Sequence, residues 1–179
     1  MLVAVAGYAG AGKTTVLESL QGRGVGEIVY VGAYVQEEVL SRGLTLSPEN
    51  EQRIRQALRD ELGRDALAKR AVGDLQNRQA RGTILLDAIY LKEEEEFYRK
   101  IFGKDVLVLA IRASFDIRAE RIAAREIRPL SIEQLRYRDD YESRQLRLDE
   151  VLATADHNVI NEGTLEMLER SLDALCSRW

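Results

Sequence analysis

The apolar residues gather in five strand-length runs at Leu2–Ala6, Ile28–Val31, Ile84–Ile89, Val106–Ile111 and Asn158–Ile160. Between them the spacing turns helical, over Thr14–Leu20, Tyr34–Ser41, Leu91–Phe102, Phe115–Arg125, Ile132–Val151 and Thr164–Ser177. Two more helices fill the longest gap. One starts at Ser47-Pro48-Glu49, an N-cap followed by proline at the first helical position, and ends at Gly63; the other runs from Arg64 to Ala80 and stops near Gly82. Runs that alternate with helices predict βα units and a mainly parallel five-stranded sheet covered on both faces. Pro48 and Pro129 are the only prolines, and no repeat or linker divides the chain, so residues 1–179 read as a single domain.

The first run opens into the motif that carries the chemistry. Gly7-Tyr8-Ala9-Gly10-Ala11-Gly12-Lys13-Thr14 fits G-x-x-x-x-G-K-[ST] without a gap, after a strand and before a helix. Glycines let the backbone curl until successive N–H groups face phosphate oxygens, and the following helix adds the positive end of its dipole. Gly7, Ala9, Gly10, Ala11, Gly12, Lys13, Thr14 and Thr15 are therefore the nucleotide-binding candidates, with Lys13 reaching the outer phosphates and Thr14 ligating Mg²⁺. A glycine-rich turn that binds nothing is the plain alternative. Asp87, at the end of the third run, is the candidate for holding Mg²⁺ through water, although a carboxylate there can also just cap a loop. Both P-loop and Asp87 sit where parallel sheets bind ligands, and this makes the first strand the expected centre of the sheet.

Composition narrows the alternatives. The 179 residues carry a formal charge of −4, which disfavours a protein that lives on nucleic-acid phosphates. One cysteine, Cys176, and one histidine, His157, leave no disulfide scaffold, His-based metal cluster or Ser-His-Asp chemistry. No apolar stretch approaches a membrane span and no signal segment precedes Leu2, so the expectation is a cytoplasmic protein. Glu93–Glu96 reads as the solvated start of a helix, favoured by its dipole. His157 reads as structural, while Cys176 and Trp179 read as packing the last helix; Trp179 also leaves room for a dimer contact, so monomer and homodimer both stay open.

Arginine supplies 21 of the 26 cations, and nine arginines lie between Arg112 and Arg147. Arg118, Arg121, Arg125 and Arg128 recur at spacings of three or four, which would aim their guanidinium forks from one helix face. Seven acidic residues share the same stretch, so a salt-bridged surface helix pair is the competing reading.

The P-loop, Arg121-x-x-x-Arg125, Arg138-Asp139-Asp140 and the closing Val159-Ile160-Asn161-Glu162-Gly163-Thr164-Leu165 resemble nucleoside monophosphate kinases and dephospho-coenzyme A kinases. Leu58–Val72 and Ala155–Leu168 are more similar still to an archaeal family of P-loop nucleotide kinase-like proteins. The resemblance implies a three-layer P-loop kinase fold, with an acceptor-side helical region at about 33–82 and a short helical lid at about 121–147. It also implies that Arg121 and Arg125 close over the triphosphate and that the loop of Asn161 and Gly163 lies against the adenine. Lys13, Asp87, Arg121 and Arg125 would then be the catalytic set.

One departure stands out. Val31-Gly32-Ala33-Tyr34-Val35-Gln36 lacks the acidic residue and the arginine of the Thr-Gly-Asp-x-x-Arg acceptor element of adenylate kinases, and Ala33 with Tyr34 cannot supply the aspartate of dephospho-coenzyme A kinases. The expected activity is transfer of the γ-phosphoryl of Mg·ATP to a nucleotide-like small molecule. A sugar or acid kinase, and an ATP-binding or slow ATPase module without an acceptor, remain alternatives.

Overall fold

The computed structural model describes residues 1–127, 129–177 and 179. Strands β1 (Leu2–Ala6), β2 (Glu27–Tyr30), β3 (Ile84–Asp87), β4 (Val106–Arg112) and β5 (His157–Ile160) form one all-parallel sheet in the order β2-β3-β1-β4-β5. All five residues of β1 are fully buried, as a central strand covered on both faces requires.

Alternation along β1 divides the core. Leu2, Ala4 and Ala6 face one layer, built from α2 (Gly32–Ser41), α3 (Pro48–Leu62), α4 (Ala66–Gln79), α5 (Lys92–Phe102) and α8 (Leu148–Ala153). Val3 and Val5 face the other, where Val16, Leu17 and Leu20 of α1 (Lys13–Gly22) meet Leu168, Leu172 and Leu175 of α9 (Leu165–Cys176). Truncating one of these leucines to alanine would cost roughly 2 to 5 kcal/mol. Ile122 of α6 (Phe115–Ala123) and Leu135 of α7 (Ile132–Arg144) pack on Ala9, joining the helices after β4 to the P-loop.

Local signals behave as read at the start of α3, where the Ser47 hydroxyl accepts from the Asn50 N–H and Pro48 takes the first helical position. Two patterns resolve differently. The single helix expected over Ile132–Val151 is two, because Arg147 adopts a left-handed conformation at φ 58° and breaks it between α7 and α8. The acidic start of α5 is solvated only in part: Glu96 is exposed and Glu93 half-buried, whereas Glu94 and Glu95 are 5% and 1% exposed. Glu94 accepts from the backbone N–H groups of Tyr90 and Leu91, and Glu95 pairs with Lys92 and Arg99. A dipole-favoured position explains an acid there, but closing the loop after β3 is what draws Glu94 inside.

Candidate functional site

The P-loop leaves the C-terminal end of β1 and closes on α1. Gly10 and Gly12 take left-handed φ values of 83° and 96°, and Gly12 caps α1 without any side-chain hydrogen bond, so the first N–H groups of the helix stay open. Ala9 and Ala11 are buried beneath the loop; Thr14 and Thr15 are exposed on the first turn. Gly7 stands where the loop crosses β4, and a Cβ there would sit 2.5 Å from the Ile111 carbonyl.

Lys13 does not project into solvent as a point charge waiting for phosphate would. Its ammonium donates to the Gly7 carbonyl at 2.6 Å and the Tyr8 carbonyl at 3.3 Å, and lies 5.5 Å from the centre of the Tyr90 ring. Asp87 ends β3 in register with Val5 of β1, and the peptide after it is cis. Burial pushes its carboxyl up and the Lys13 charge pulls it part of the way back. The donors near the loop are hard oxygens, the Thr14 hydroxyl and the Asp87 carboxylate. They fit Mg²⁺, which keeps several waters and shares the phosphates, so a full protein cage is not needed.

The arginines of α6 do not point one way. Arg118 is 6% exposed and forms a two-pronged pair with Asp139 of α7, at 3.0 and 2.7 Å. It also donates to the Ala9 carbonyl at 3.1 Å and lies over the Tyr8 and Phe115 rings. Arg121 turns to the end of β5, donating to the Asn161 carbonyl at 2.9 Å. Arg125 follows α6 and is exposed, with no ion pair within 4.0 Å among the described residues; Arg128 lies outside them. Thus the salt-bridge reading fits Arg118, and helical spacing alone did not reveal it because Asp139 is 21 residues away in the chain.

Asn161 joins three segments. Its N–H donates to the Arg112 carbonyl at 2.7 Å, its side-chain amide to the Ala11 carbonyl at 2.9 Å, and its own carbonyl receives Arg121. The side chain therefore faces the P-loop backbone, at a position 7% exposed. Gly163 lies in the exposed loop beyond it, against Met167 of α9.

Two features had no local sequence signal. Tyr8 donates to Asp149 at 2.8 Å, and burial followed by that bond pushes its phenol up to about 12. It borders an open cavity of about 350 Å³ shared with Phe115, Arg136, Asp139, Asp140 and Ser143. On the far side of Lys13, Tyr90 stands beside Arg138 of α7. At the start of α2, directly after β2, Gly32 leaves room for the Tyr30 ring, Tyr34 is occupied by Asp74 at 2.6 Å, and Gln36 donates to Glu51 at 3.3 Å. Ala33 offers no functional group there.

These features define a P-loop protein of kinase-like fold, and comparison with known proteins agrees. The sequence matches the AAA domain family (AAA_18) over residues 3–145. It is 32% identical to a UPF0200 protein of Thermococcus gammatolerans, over 99% of this chain and 95% of that one. It is 34% identical to a UPF0200/UPF0201 protein of Archaeoglobus fulgidus over 92% of this chain, and spans 51% of that protein's length. The chain belongs to the AAA domain family and, within P-loop proteins, to the UPF0200 family. Among solved structures, TT1252 from Thermus thermophilus superposes with a TM-score of 0.65 at 22% identity, covering 99% of this chain and 97% of that one. Shikimate kinase from Aquifex aeolicus gives 0.60 at 18% identity, covering 99% and 96%. At those identities the likeness speaks for the fold. No helix among the described residues is long and apolar enough to cross a membrane.

Proposed function

We propose that the chain is an ATP-dependent phosphotransferase that moves the γ-phosphoryl of Mg·ATP to a nucleotide-like small-molecule acceptor. The observation that carries this reading is a complete P-loop between β1 and α1, with Lys13 at the start of α1 reaching back to the Gly7 carbonyl and Asp87 at the C-terminal end of the adjacent strand β3. Loop N–H groups and the open start of α1 would hold the phosphates. Lys13 would exchange the Gly7 carbonyl for a phosphate oxygen, a short movement because the ammonium already lies within the loop. Thr14 and water on Asp87 would hold Mg²⁺, which supplies charge neutralisation on the transferred phosphoryl group. Arg121 and Arg125 would close from the α6 side, with Asn161 and Gly163 bordering the base. Transfer of this kind needs positioning and charge more than acid–base groups, so a chain with one histidine is equipped for it.

A second reading is an ATP-binding or slow ATPase module, favoured by the acceptor element missing at Ala33 and Gln36. A sugar or acid acceptor belongs to the same phosphotransferase reading, and the shikimate kinase fold neighbour supports including such compounds. The test is ATP consumption with products resolved by mass spectrometry over nucleoside monophosphates, dephospho-coenzyme A and small hydroxy acids. A phosphorylated acceptor supports transfer; ADP and phosphate alone, at the no-acceptor rate, support the module.

A further inference from the structure

Lys13 is the only charged side chain of the P-loop, and it is carried on a flexible four-carbon stem that can point it in many directions. Lys69 and Lys92 are held by acids three or four residues away. Lys13 forms no ion pair within 4.0 Å among the described residues; the Gly7 and Tyr8 carbonyls at 2.6 and 3.3 Å hold it instead, together with the Tyr90 ring, whose centre is 5.5 Å away. An ammonium has three N–H groups. Two are directed at the carbonyls, and the ring meets the remaining charge inside the roughly 6 Å over which an aromatic face attracts a cation.

Tyr90, by contrast, is pinned from several sides. Ile89 donates to the Val5 carbonyl of β1 at 3.0 Å and Leu91 is fully buried, so both chain neighbours of Tyr90 are held. The Tyr90 N–H donates to Glu94 Oε2 at 3.1 Å, and the same oxygen receives the Leu91 N–H at 3.3 Å. The half-buried ring packs against both apolar layers of the core. A side chain held by its backbone, by a buried carboxylate and by two apolar layers can serve as a fixed wall for a mobile one.

We propose that Tyr90 is the positioning residue for Lys13: its ring keeps the ammonium within the loop, and Glu94 keeps the ring in place. The proposal rests on the phosphotransferase reading for the phosphate that Lys13 meets. A ring suits this task better than a carboxylate does. It attracts the cation without pairing with it, so the ammonium stays free to turn from carbonyl to phosphate, whereas an acid at the same position would compete with phosphate for the charge. Once the Gly7 carbonyl is exchanged for a phosphate oxygen, the ring remains beside the ammonium and keeps water from that side, which strengthens the attraction to phosphate. Loss of the ring should therefore weaken the nucleotide-bound state more than the empty one.

Titration calorimetry of the full chain with Mg²⁺ and a non-hydrolysable ATP analogue tests this. Tyr90→Phe keeps the ring and should bind within about twofold of the parent, whereas Tyr90→Leu should bind about threefold or more weakly. In a Lys13→Ala background the same Tyr90→Leu change should alter affinity by less than about twofold, because the residue acts through the ammonium. If Tyr90→Leu unfolds, or Lys13→Ala binds too weakly to titrate, phenylalanines with one, two and three ring fluorines placed at position 90 keep the shape while weakening the negative face, and affinity should fall stepwise along the series. Equal affinity in parent and Tyr90→Leu, an effect as large without Lys13 as with it, or affinity indifferent to fluorination would overturn the role. No analogue binding by the parent would remove the phosphotransferase reading and this role together; binding that depends on Lys13 but not on Tyr90 would remove the role alone. Tyr90-dependent binding with no phosphorylated acceptor among the products would keep the role and remove the transfer reading.

Discussion

Gly12 and Asn161 occupy adjoining space: the Asn161 amide that donates to the Ala11 carbonyl lies where a Cβ on Gly12 would stand. The loop that receives phosphate is thereby fixed to the end of β5, and through the Asn161 carbonyl to Arg121. Gly12→Ala should lower stability by about 1 to 3 kcal/mol, from its left-handed φ and from the collision. Asn161→Ala should cost a similar amount by orphaning the buried Ala11 carbonyl. Because the second change removes the collision, the double variant should lose less than the sum, by at least about 0.5 kcal/mol. Denaturant melts of all four proteins measure the coupling; strict additivity would mean the contact does not hold the loop.

Arg118 and Arg125 differ in kind despite their regular spacing. Arg118→Met leaves Asp139 without its partner and breaks the tie from α7 to Ala9, and should cost about 3 kcal/mol. Arg125→Gln, at an exposed position, should stay within about 0.5 kcal/mol yet lower turnover by roughly tenfold or more if the residue closes on phosphate. Thermal melts beside turnover separate the two. A large stability loss in Arg125→Gln with normal turnover would reverse its assignment.

Much of this arrangement was legible in the residues alone. The five runs and the ungapped P-loop gave the parallel sheet with β1 at its centre, because strand length, burial and phosphate chemistry leave local marks. Local signals also named Ser47 as a cap. They missed the destination of each arginine, since Arg118 meets Asp139 and Arg121 meets Asn161 across 21 and 40 residues. Nor could they show the break at Arg147, where tertiary packing of α8 overrides a continuous helical pattern, or Lys13 turned back onto Gly7.

Glu94 predicts a pH dependence. Burial pushes its carboxyl up from an ordinary 4.5 to about 7, against the pull of the Tyr90 N–H and Arg59. The folded state then keeps a proton the unfolded chain has already released. This group's contribution to stability therefore falls as pH rises from about 4.5 to about 7, and levels off above. Glu94→Gln should flatten that dependence, gaining on the parent by on the order of 2 kcal/mol between pH 5 and pH 8. Urea melts at the two pH values check it; an unchanged difference would show that Glu94 ionises freely.

Asp87→Asn should keep the melting temperature level or raise it at pH 7, because burial opposes the charge it removes. Nucleotide binding without metal should persist, while activity and its response to magnesium concentration should fall together. An identical magnesium profile in variant and parent would assign the metal to another carboxylate.

Transfer of a phosphoryl group from ATP bound at the P-loop can be read directly by mass spectrometry of products from Mg·ATP with the acceptor panel, run for the parent and Lys13→Ala. The parent should form a phosphorylated acceptor at a rate well above ATP consumption without acceptor, and Lys13→Ala should lose it with the fold intact. ADP and phosphate as the only products across the whole panel, or a product that forms equally well without Lys13, would contradict it.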